Sequence, residues 1–176
     1  VAKSALVWLR RVAGFGLAYV AIALSLAGVF RDPGSHFSEQ AFTLIGLVGV
    51  LLVRLFEHSQ HTKKAPDTAW LELELGTLLI AAAFVIIEFT GGPSGLAHPI
   101  VYALVAFLVA FHRVWMSFYF LGLILLVEGG IMWVQEGSNT TQLYLSHAAF
   151  VVLIGFLYSL FLRSEISERR QELTSA

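Results

Sequence analysis

Long apolar runs make up most of this chain, separated by segments that are short and polar or rich in glycine and proline. The first run covers 5–30 and stops at Arg31, Asp32, Pro33 and Gly34, a turn sequence that cannot continue a helix. The second, 37–56, gives way to the longest hydrophilic segment between runs, 57–67. The third, 68–89, ends in Thr90-Gly91-Gly92-Pro93-Ser94-Gly95, again turn chemistry. His98 and Pro99 open the fourth, where the missing proline N–H costs nothing in a first turn. Between Pro99 and Val134 the main polar break is His112-Arg113. One helix of that length would measure about 50 Å, too long for a bilayer, so a tight hairpin is expected there. The sixth run, 140–162, follows the polar loop 135–139.

A membrane helix with its turn takes roughly 25 to 30 residues, so six spans use nearly the whole chain. The expected fold is an all-α membrane protein of about six transmembrane helices, multi-pass in the inner (cytoplasmic) membrane. Its expected division is a six-helix transmembrane domain over 1–162 and a cytoplasmic connector helix over 163–176. Orientation follows from lysine and arginine, which stay on the cytoplasmic side. With both termini cytoplasmic, Lys3, Arg10, Arg11, Arg54, Lys63, Lys64, Arg113, Arg163, Arg169 and Arg170 all fall at cytoplasmic ends, and only Arg31 falls outside. Merging the fourth and fifth helices would put the basic C-terminal tail outside, so the charges also support the hairpin. Trp8, Trp70 and Trp115 then lie near the inner interface, with Trp133 and Tyr144 near the outer one. Small residues crowd the first helix, among them Gly14, Gly16, Ala18 and Ala21, and Gly46 and Gly49 lie on the second. Such positions let backbones approach, within one bundle or at a dimer face.

Composition agrees with lipid as the solvent: 57% of residues are hydrophobic and 13% charged, against about 25% charged in a soluble domain, and the mean hydropathy is +0.78. The absence of cysteine excludes disulfides, thiolate metal sites and a cysteine nucleophile. A net charge of -1 with scattered basic residues gives no reason to expect nucleic acid. No GxSxG elbow, HExxH helix or phosphate-cradling glycine loop is present, so no catalytic residue is expected.

Ionisable groups inside a bilayer are costly enough to suggest function. Glu128 lies in an apolar stretch beside Gly129 and Gly130, and His147 lies at a similar distance from the outer end of the next helix. Glu88, His98 and, one turn below it, Tyr102 would join the same outer layer as a ligand-binding site. A carboxylate beside an imidazole can hold a proton, bind a polar ligand or coordinate a metal, or simply join two helices. No metal is expected, because the layer lacks histidines four apart on one helix. A weaker inner cluster comprises Glu57, His58, His61, Glu72, Glu74 and His112. The cofactor stays open: haem could draw on His98, His112 and His147, but these fall on opposite sides of the membrane.

The last helix continues past Leu162 without glycine or proline, with Glu165 four residues before Arg169, a stabilising spacing. Leu162, Ile166 and Leu173 form a short heptad-like stripe, which suggests a connector to a further domain. The segments GGPSGLAHPIVYAL at 91–104, LLVEG at 125–129, HAAF at 147–150 and LRSEI at 162–166 resemble the N-terminal multi-pass sensor regions of bacterial signalling proteins. Those regions are fused to diguanylate cyclase or histidine kinase outputs. The resemblance implies a homodimer that passes a signal along its last helix, and no catalytic role for this chain. The expected function is a membrane-embedded sensory module that detects a small ligand, a proton or a lipid-soluble molecule. The alternatives are the substrate-binding component of a vitamin uptake system and a structural subunit of a respiratory or photosynthetic complex.

Overall fold

A computed structural model describes residues 2–30, 33–61, 68–136 and 141–175, with side chains over most of the bundle. Each apolar run folds as a helix: α1 (Ala2–Leu26), α2 (Pro33–His61), α3 (Thr68–Phe89), α4 (Ile100–Phe111), α5 (Val114–Glu136) and α6 (Thr141–Ser175). There is no strand among the described residues. The apolar stretches Ala69–Phe89, Val114–Val134 and Tyr144–Phe161 are long enough to cross a membrane, whereas Val12–Leu26, Ala41–Phe56 and Ile100–Phe111 are shorter.

Local chemistry sets the ends. α1 stops earlier than its apolar run because Gly28 adopts a left-handed backbone (φ 72°). Its N–H donates to the Ser25 carbonyl and the Val29 N–H to the Leu24 carbonyl, the paired bonds of a Schellman stop. Pro33, expected to mark only the end of the first helix, begins α2, where its fixed φ suits a first helical position. Gly91 and Gly92, both at positive φ, end α3 and lead into the 3-10 turn Gly92–Ser94. The expected hairpin at His112-Arg113 is present. His112 is extended and donates from Nδ1 to the Leu108 carbonyl at 3.0 Å, while the Ser117 N–H bonds the Arg113 carbonyl as α5 begins.

α3 is the central helix, packing against α1, α2, α4 and α5, whereas α6 packs mainly on α4 and α5. Within the apolar stretches, 67% of α3 is buried but only 11% of α6. Glycines supply the notches for close packing: Gly76 receives the Phe120 ring, Gly130 the Leu26 side chain and Gly14 the Glu74 carboxylate. Among the small residues, Ala18 and Ala21 of α1 are buried in the core, whereas Gly16 of α1 and Gly46 and Gly49 of α2 face open space. Phe42, Ile45 and Phe56 on α2, with Phe150, Phe156 and Phe161 on α6, remain exposed. Trp70, Trp115 and Trp133 also point outward. Tyr144, expected in the outer belt, turns inward, its ring over Gly129 and its hydroxyl donating to the Leu125 carbonyl at 3.1 Å.

Candidate functional site

Three segments meet at the end of the bundle that carries the α3–α4 turn. The turn from Thr90 to Pro99 is closed by the Gly95 N–H on the Gly92 carbonyl and the His98 N–H on the Gly95 carbonyl. It delivers His98 just before α4 begins. His98 is 7% exposed. α5 contributes Glu128, 2% exposed, and α6 contributes His147 from its second turn.

The three side chains converge on one oxygen. Glu128 Oε1 lies 3.1 Å from His98 Nε2 and 3.2 Å from His147 Nδ1. The imidazoles stack with centroids 4.8 Å apart and planes 30° from parallel, so both nitrogens address the same point. Glu128 Oε2 is buried without a hydrogen-bond partner among the described residues. If the carboxylate is ionised, each imidazole donates one N–H to Oε1. One excess proton or one cation is then enough to neutralise the group.

Of the five residues expected in this layer, His98, Glu128 and His147 come together, and the Tyr102 ring stands nearly perpendicular to His98 with centroids 6.1 Å apart. Glu88 is buried in the last turn of α3 but does not join the three-residue group. His112 lies at the other end of α4, its ring edge against Phe120 at 5.0 Å, too far away to share a ligand with His98. The side chains of Glu57, His58 and His61 lie outside the described residues.

At the opposite end of the bundle the structure holds a pair that sequence reasoning missed. Arg54 Nε of α2 is 2.8 Å from Glu74 Oε1 of α3, with residue exposures of 7% and 2%. Sequence position alone marks Arg54 as a cytoplasmic end charge and Glu74 as a first-turn acid. The signal for their meeting lies in their spacing: both stand equally far in sequence from position 64, between the two helices, so antiparallel packing of α2 and α3 brings them level. The same symmetry about position 113 pairs His98 with Glu128. A further polar link was also missed. The Tyr19 and Tyr119 hydroxyls are 2.7 Å apart, and Tyr119 is 3.2 Å from Thr77 Oγ1, joining α1, α5 and α3.

Compared with family models, curated proteins and solved structures, the chain matches none.

Proposed function

We propose that this chain is a six-span sensory or regulatory membrane module, both ends cytoplasmic, that reads the state of the His98, Glu128 and His147 cluster and passes it along α6. One observation carries the reading: His147 stands on a helix that runs unbroken from Thr141 to Ser175. At ~1.5 Å per residue such a helix is about 52 Å long, against a bilayer core of ~30 Å. One rigid element therefore has its first turns in the cluster and its far end well past the apolar stretch Tyr144–Phe161. Among the described residues α6 packs mainly on α4 and α5, the helices beside His98 and bearing Glu128, so a change of charge or occupancy changes what holds α6 to its neighbours. The resemblance to bacterial sensor regions, with the homodimer it implies, points the same way.

The chain has no cysteine, so spin labels at Val114→Cys and Ser164→Cys report the far end of α6 against α5. Glu128→Gln is expected to shift that distance by about 1 to 2 Å, the scale of helix movements in signalling. An unchanged distance in a folded protein would reduce the cluster to a structural tie, as in a transporter or respiratory subunit. Orientation is tested with a reporter that fluoresces only in the cytoplasm. Fusions after Lys64 and Ala176 are expected to be bright and those after Ser94 and Gly137 dark; a bright Ser94 fusion contradicts six spans.

A further inference from the structure

We propose, resting on that reading of the cluster as a ligand site, that His98, Glu128 and His147 bind a divalent first-row transition-metal ion such as zinc. His98 would ligate through Nε2, His147 through Nδ1 and Glu128 through its carboxylate.

Separation supports this first. The three donor atoms lie within 4.8 Å of one another, and the two separations to Glu128 Oε1 are 3.1 and 3.2 Å. An ion bonded at about 2.0 to 2.1 Å sets neighbouring tetrahedral ligands about 3.3 to 3.4 Å apart. Glu128 is already spaced for that from both rings, and the histidine nitrogens need to close by about 1.4 Å at most.

The second support is the carboxylate itself. Both imidazoles address Oε1, while Oε2 is buried with no hydrogen bond among the described residues. A proton shared at Oε1 leaves that acceptor unsatisfied, and burying it so is unfavourable. An ion between the three residues engages it, either directly in a bidentate carboxylate or through a metal-bound water.

Ligand type narrows the metal. Two imidazoles and one carboxylate suit zinc, iron, nickel or copper, whereas magnesium and calcium favour all-oxygen shells. Three protein ligands leave one coordination position open. The His147 side chain is 20% exposed, so the site is not sealed inside the protein. The set escaped a search for spaced histidines because its ligands come from a turn and two different helices.

The test uses the full chain, purified without a histidine tag, stripped of metal by a chelator and held in lipid nanodiscs. Calorimetric titration with Zn2+ is expected to show one ion per chain. His98→Ala, Glu128→Gln and His147→Ala are each expected to weaken binding roughly 100-fold, and the triple variant His58→Ala, His61→Ala, His112→Ala to leave it unchanged. No stoichiometric uptake by folded wild type, or uptake abolished by the triple variant, overturns the metal site. Should a site variant fail to fold, X-ray absorption of the wild-type zinc complex decides: two imidazoles with carboxylate oxygen are expected, and an oxygen-only shell overturns the proposal. The sensing reading is separable. Metal absent while Glu128→Gln still displaces α6 overturns only the metal; metal bound with α6 immobile supports the metal site and overturns the sensing reading.

Discussion

Arg54 and Glu74 at one end of the bundle, and His98, Glu128 and His147 at the other, are both buried groups of ionisable side chains bridging helices. They differ in what each can become. A guanidinium keeps its charge at any pH, and Arg54 meets Glu74 against the notch that Gly14 leaves in α1. An imidazole can bind a proton or a metal ion, and two of them share one oxygen of Glu128 while the other oxygen has no partner among the described residues. The first group contains a permanent cation, whereas the second is built from groups that can gain a proton or an ion. Burial of charge therefore does not by itself mark a functional site. The proposed function rests instead on the capacity of the second group to change state beside α6.

The largest effect is expected at the fixed pair. Glu74→Ala leaves Arg54 buried without its carboxylate, which costs about 3 to 5 kcal/mol and is measurable by unfolding in detergent micelles. Gly14→Val sets a side chain against the same carboxylate and is expected to cost about 1 to 3 kcal/mol. That cost should shrink in the Glu74→Ala background, where the obstructing oxygens are gone; an undiminished cost would place the strain elsewhere. A smaller effect is expected at the switchable group. In a cycle of Glu128→Gln and His147→Gln, the double variant should be milder than the sum of the singles by about 0.5 to 2 kcal/mol. Strict additivity would mean that the two residues do not act together.

The helices and most of their ends were legible because turn chemistry interrupts each apolar run, although Gly28 stopped α1 before the more conspicuous Pro33. The meeting of Glu128 with His147 was legible from their equal distance to the intervening loop, and His98 from its layer. What escaped was direction. Lipid-facing and core-facing residues in a membrane helix are equally apolar, so nothing in the composition of α6 announced that it is the least buried of the three long apolar stretches. Nor did it distinguish Gly14, which faces Glu74, from Gly16, which faces open space. Glu88 illustrates the same limit: its depth follows from its place near the end of α3, but its position around that helix keeps it out of the three-residue group.

Hydrogen exchange followed by mass spectrometry, on Glu74→Gln and Glu128→Gln side by side in nanodiscs, tests the division of labour most directly. If the cluster signals through α6, Glu74→Gln speeds exchange in α1, α2 and α3, which pack around the fixed pair, and leaves the far end of α6 as in wild type. Glu128→Gln does the reverse: α1 to α3 keep their protection, and the part of α6 beyond Phe161 exchanges at a different rate although the substituted residue lies at the other end of the bundle. A uniform change throughout the bundle in Glu128→Gln, or wild-type exchange along the whole of α6, would contradict the claim that this cluster is read out through α6.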